Sequence, residues 1–228
     1  MKKSSLLMAS LLLVTGLNQN TAEAASEKST APSPTEALTE LKRGNGRYLE
    51  GVSKHPRIDP ARRLKTAKKG QKPIASILSC ADARVPVEMI FDKGFGDLFV
   101  VRVAGNVCDT AELASLEFGS LYLNTPLIVV LGHSKCGAVQ AAVDETELKG
   151  SLPLLIKEIS PAVKAARKAA PEAKGEDLTN KAIEENVRLS IDHIMKSPGI
   201  ARAVKEKKLL VKGAVRDLKS GKVRWLED

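Results

Sequence analysis

Three short apolar runs constrain this chain more than anything else in it. They are residues 73–79 (PIASILS), 98–103 (LFVVRV) and 126–131 (PLIVVL). None alternates polar with apolar, so each reads as a strand buried on both faces. A helix-like stretch at 111–123 separates the last two. Strand, helix, strand implies parallel βαβ units and an α/β sheet covered on both sides. Residues 209–215 read as a fourth strand. After a turn at Asp217-Leu218-Lys219-Ser220-Gly221, residues 222–226 form a short antiparallel return. The expected fold is therefore a mainly parallel four-stranded sheet flanked by helices, closed by an antiparallel hairpin strand. Residues 35–50 and 176–195 carry apolar residues at helical spacing. Residues 51–72 read as a basic, irregular stretch containing Arg62, Arg63, Lys65, Lys68, Lys69 and Lys72.

The first residues read as an address. Lys2-Lys3 begins a positive segment, residues 6–17 are mostly apolar, and Ala22-Glu23-Ala24 supplies a small-x-small cleavage signal. That is the pattern of a secretory signal peptide at 1–24, and the apolar part is far short of the ~20 residues of a spanning helix. The expectation is export to the periplasm, with no stable membrane insertion after cleavage. Residues 25–34 read as a flexible linker and 35–228 as the folded domain. All three cysteines, Cys80, Cys108 and Cys136, lie in the exported part. Three is odd, so disulfides cannot use them all, and a metal would protect two of them.

Composition excludes other classes. With 43% hydrophobic residues and 16 glycines in 228, the chain is neither disordered nor collagen-like. The formal charge of +9 suits an anionic partner. Aromatic stacking residues are few and no nucleic-acid motif is present. A solvated basic face is the better reading, and no nucleic-acid partner is expected. A thiol redox protein is disfavoured because no Cys-x-x-Cys occurs.

In open α/β sheets, sites form beyond the carboxyl ends of parallel strands. The first strand runs into Cys80-Ala81-Asp82-Ala83-Arg84, the third into Gly132-His133-Ser134-Lys135-Cys136-Gly137. Cys80, His133 and Cys136 can therefore converge. Thiolate sulfur and imidazole nitrogen suit zinc, and three protein ligands leave a fourth position free, as in catalytic sites. Asp82 and Arg84, two residues apart, form a carboxylate–guanidinium pair able to orient an acceptor toward zinc-bound water. Cys108 reads as a buried or free thiol, His55 as a loop histidine and His193 as a solvent-facing helix histidine.

Cys80-Ala81-Asp82-Ala83-Arg84 together with His133-Ser134-Lys135-Cys136-Gly137 resembles the β-class carbonic anhydrases. Leu41-Lys42-Arg43-Gly44-Asn45-Gly46-Arg47-Tyr48, Ala104-Gly105-Asn106 and Glu185-Asn186-Val187 are similar to further motifs of that family. The resemblance implies reversible zinc-dependent hydration of CO2 to bicarbonate and a proton, by attack of zinc-bound hydroxide. It implies one Zn2+ per subunit on Cys80, His133 and Cys136. Asp82 and Arg84 would be the catalytic dyad, Asp82 accepting from that hydroxide. Gln71, Phe99, Ala104, Phe118 and Gly137 would contact substrate. The chain would assemble as a homodimer or larger, each pocket wall coming partly from the neighbour. Trp225, the single tryptophan, does not occupy the place used by the family's bicarbonate-closed subgroup, so the always-open subgroup is expected. The rival on the same scaffold is a zinc hydrolase of CS2 or COS.

Overall fold

The computed structural model describes residues 31–227, so the signal-peptide reading and most of the linker lie outside the described residues. Five strands form one sheet in the order β2-β1-β3-β4-β5: β1 (Ala75–Ser79), β2 (Leu98–Arg102), β3 (Leu127–His133), β4 (Leu210–Arg216) and β5 (Val223–Trp225). β1 to β4 are parallel and β5 returns antiparallel to β4. The α/β sheet read from the sequence is the one observed.

The helices are α1 (Pro34–Leu49), α2 (Pro60–Lys69), α3 (Val87–Ile90), α4 (Thr110–Glu117), α5 (Gly137–Val143), α6 (Leu152–Ala169), α7 (Gly175–Met195) and α8 (Pro198–Lys205). The continuous apolar character of β1 and β3 follows from having both sheet faces covered; β2, read from the sequence as equally buried, is an edge strand and is only half-buried over most of its length. Ile77, Val129 and Leu131 pack with Ala37 and Leu41 of α1. Leu78, Ile128 and Val130, one residue out of step, pack with Leu116 of α4, Val187 and Ile194 of α7 and Ile200 of α8.

Several boundaries differ from expectation. Ser33 and Pro34, assigned to the linker, open α1: Ser33 and Glu36 form a capping box that satisfies the first free amides. α2 lies inside the stretch read as irregular. It buries no residue, so it has no apolar period to read. Asp59 caps it, Pro60 starts it, and Arg62 ties it to the Phe95 carbonyl and to Asp97. The helix expected at 111–123 is α4, followed by a π-helical turn over Phe118–Tyr122. His133 is the last residue of β3 rather than part of the loop after it.

The motif around Asn45 joins the two ends of the described chain. The Asn45 amide donates to the carbonyls of Ile90 and Gly221, and its oxygen accepts from Val223 N–H at 3.0 Å. Nearby, buried Asp92 accepts from Arg47 at 2.6 Å and from the amides of Lys54 and His55. Burial alone would raise the Asp92 pKa, but the Arg47 hydrogen bond and those amides hold it below the ordinary value. A carboxyl so lowered stabilises the fold above its unfolded pKa of about 3.9 and loses that contribution as pH falls through the folded value. Asp92→Asn is thus expected to cost about 1–3 kcal/mol at pH 7. In urea titrations the gap from wild type should narrow between about pH 5 and pH 3. An equal gap at both pH values would remove this role.

Candidate metal centre

The strand order reverses beside β1. The chain crosses from β1 to β2 on one side, then back past β1 to β3 on the other. The crevice outside the carboxyl ends of β1 and β3 is the switch point where such sheets bind ligands. Cys80 leaves β1 there and His133 ends β3 there. The Sγ atoms of Cys80 and Cys136 and a ring nitrogen of His133 lie within 4.8 Å of one another, and all three residues are buried. This is the convergence expected from the two motifs.

The donor chemistry fits a metal. His133 Nδ1 lies 2.9 Å from the Ser134 carbonyl, so Nδ1–H donates there and the Nε2 lone pair is left free. Nε2 is buried with no hydrogen-bond partner, an uncompensated cost unless something coordinates it. The Cys80 pKa is pulled down by a hydrogen bond from Cys136, with further help from the amides of Asp82 and Gly105. Cys136 is pushed up, first by that same contact and then by burial. A metal that takes both sulfurs as thiolates displaces whatever protons they hold. The Gly105 amide donates to Cys80 Sγ at 3.3 Å.

Gly105 holds that amide in place at φ +70°, where a side chain is strained. A Cβ there would also lie 2.7 Å from Ile159 Cδ1. Asn186, from the late helix motif, donates to the Gly105 carbonyl at 2.6 Å, and Ser190 donates to the Asn106 carbonyl. Gly105→Ala should destabilise the fold by about 1–3 kcal/mol. It should also weaken metal binding by roughly 10–100-fold, since it displaces a donor to a ligand. Urea unfolding and chelator competition measure the two effects, and unchanged affinity would show that the amide does not matter to the thiolate.

Asp82 and Arg84 form the expected pair. Arg84 Nε donates to Asp82 Oδ1 at 2.9 Å and Nη2 to Oδ2 at 2.7 Å. Oδ2 lies 3.9 Å from His133 Nε2. The Arg84 hydrogen bond holds the Asp82 carboxyl well below the usual range. Arg84 also donates to the Lys135 carbonyl, joining the two motifs.

Two further arginines, not singled out by sequence reasoning, hold the same turn. Arg102, ending β2, donates to the carbonyls of Cys80 at 3.0 Å and Asp82 at 2.6 Å. Arg216, ending β4, donates to the carbonyl of Arg84. The available signal was an arginine closing an apolar strand at the level of Cys80 and His133.

The remaining expected residues divide. Ala104 begins the 3-10 turn that carries Gly105, and Gly137 begins α5 directly after Cys136; both adjoin the site. Gln71, Phe99 and Phe118 do not adjoin it within one chain. Gln71 is exposed and precedes β1, whose five residues span about 16 Å. Phe99 pairs with Ser76, near the start of β1, and Phe118 lies 6.0 Å from Phe99. His193 is a correction: it is half-buried with Nδ1 3.1 Å from the Cys108 carbonyl, because α7 packs against that loop. Cys108 is buried, and burial with Glu112 and Asp109 pushes its pKa up to about 12. His55 is exposed in a loop.

Comparison with known proteins agrees with this geometry. The carbonic anhydrase family matches residues 75–223. The chain is 46% identical over 139 residues to carbonic anhydrase 2 of Mycobacterium tuberculosis, covering 59% of this chain and 67% of that one. It is 37% identical over 194 residues to a carbonic anhydrase of Mycolicibacterium smegmatis, covering 83% and 92%. Among solved structures, the β-carbonic anhydrase CcaA superposes with TM-score 0.68 at 26% identity, over 83% of this chain and 95% of that one. A tetrameric β-carbonic anhydrase of Sordaria macrospora superposes with TM-score 0.69 at 25% identity, over 85% and 96%. A parallel sheet with its cysteine–histidine–cysteine group at the switch point, and relatives matched along most of their length, make this chain a member of the carbonic anhydrase family, in its β class.

Proposed function

We propose that this enzyme hydrates CO2 reversibly to bicarbonate and a proton, with one zinc ion held by Cys80, His133 and Cys136. The observation that carries the reading is the buried, unpartnered His133 Nε2 facing two sulfurs. When bound, zinc supplies Lewis acidity that brings the pKa of a coordinated water down toward neutrality. The chain's own residues do the rest. Asp82 accepts a hydrogen bond from the attacking water and so turns its lone pair toward the CO2 carbon. Arg84 occupies both Asp82 oxygens, which favours an open fourth position over one closed by the carboxylate. Ala104 and the Gly137 amide border the substrate, and bicarbonate leaves as water returns.

Gln71, Phe99 and Phe118 complete the pocket only from a neighbouring subunit. Phe118 and Tyr122 are 48% and 76% exposed and stack at 5.7 Å, an apolar strip suited to self-association. Export follows from the basic start, the apolar run and Ala22-Glu23-Ala24. No helix among the described residues is long and apolar enough to cross a membrane.

Stopped-flow CO2 hydration with zinc quantified on the same sample tests the function. Turnover that tracks zinc content is expected. A zinc-loaded protein that turns over COS or CS2 but not CO2 would replace this reading with its hydrolase rival. Sedimentation and the amino-terminal sequence of the secreted protein test assembly and export.

A further inference from the structure

Arg216 carries a charge into the protein with no carboxylate to answer it. The residue is 5% exposed, and it forms no ion pair among the described residues. Its Nη2 donates to the Tyr48 hydroxyl at 3.1 Å, and the guanidinium lies 5.9 Å from the centre of the Tyr48 ring. Nε has no hydrogen-bond partner. A buried cation left this way is costly, and an apolar side chain of similar volume would be the more stable choice if packing were all that mattered. Nη1 is aimed at one group, the carbonyl of Arg84. On the sheet, Arg216 is the register partner of His133.

We propose that Arg216 is a positioning residue for the Asp82–Arg84 pair: by gripping the Arg84 carbonyl, it fixes the backbone from which Arg84 reaches Asp82. The Cys80-Ala81-Asp82-Ala83-Arg84 turn is held at three carbonyls. Arg102 takes those of Cys80 and Asp82, at the ligand end. Among the described residues, only Arg216 takes that of Arg84, at the end from which the catalytic fork projects. Arg84 itself is exposed, with 56% of its side chain open to solvent. Apart from its contact with the Lys135 carbonyl, its fork depends on where its backbone is set. Tyr48 in turn orients Arg216 from α1. A misplacement of Asp82 by a fraction of an ångström leaves zinc bound and substrate access open but misaligns the attacking water.

The proposal rests on the reading of Asp82 as the acceptor for that water, and the test separates the two. Arg216→Met should lower kcat by about tenfold or more, with KM changed by less than about twofold. Arg216→Gln removes the buried charge and is two bonds too short to reach the carbonyl. It should behave alike and serves if the methionine variant does not fold. In an Asp82→Asn background the same substitution should cost almost nothing further, because both changes disable one unit. Without activity, the Arg84 Nε–H resonance of the metal-free protein should lose its protection from exchange in both variants. Wild-type kcat in a folded variant, an undiminished loss in the Asp82→Asn background, or an unchanged Arg84 resonance would each overturn the proposal. Wild-type turnover in Asp82→Asn alone would instead overturn the dyad reading, and the proposal with it.

Discussion

Cys80→Ser, His133→Ala and Cys136→Ala are each expected to lose zinc and CO2 hydration together. Every one of these side chains is buried, so no outside group can step into a vacated ligand place. Removing a sulfur would also remove one of the two thiolate charges that would balance a bound zinc ion. Removing the imidazole takes away the one nitrogen whose lone pair is oriented by the Ser134 carbonyl. Changes to outer-shell groups cost about 10–100-fold in metal affinity or activity, and loss of a ligand itself should exceed that range. Zinc quantified by mass spectrometry alongside stopped-flow hydration reads both losses. Cys108→Ser is the control: its thiol is buried away from the trio, and zinc and turnover should survive. Stoichiometric zinc with full turnover in any of the three ligand variants would end the assignment of that ligand.

Asp82→Asn should keep zinc and lose turnover by about 100-fold or more. Asp82 now offers acceptors only, with Arg84 on both oxygens and on its backbone side through the Arg84 amide at 2.9 Å. Its pKa is held well below the usual range, chiefly by the Arg84 hydrogen bond. The carboxylate is therefore ionised throughout the neutral range, and its protonation is not what shapes activity there. An asparagine amide would set a donor against the Arg84 donors and break the fork. It would also remove the acceptor that orients the water. Metal content should stay at the wild-type level, which distinguishes this variant from the ligand set. Wild-type turnover would show that Asp82 only fastens the loop.

Legibility varied by element for physical reasons. β1 and β3 were readable because burial on both faces leaves an unbroken apolar run; β2 carries the same kind of run although it is an edge strand, half-buried over most of its length. α7 was readable because Leu178, Ile183, Val187 and Ile194 are buried on one side. α2 was not, because a helix that buries nothing has no apolar period, and its stability comes from a cap and from arginine contacts far along the chain. Arg102 and Arg216 were missed because their partners are backbone carbonyls, which no sequence pattern displays. Gln71, Phe99 and Phe118 came from resemblance, and within one chain they lie toward the far end of β1 from the sulfurs.

By itself the sequence determined the strand set, the helix-bearing connections and the identity of the candidate metal donors. Those depend on side-chain periodicity and donor chemistry, which are local properties. Only the tertiary structure decided that the donors face one another, which His133 nitrogen is free, and that three arginines clamp the turn carrying Asp82. The order β2-β1-β3 makes the crevice, and strand order is set by packing between segments far apart in the chain.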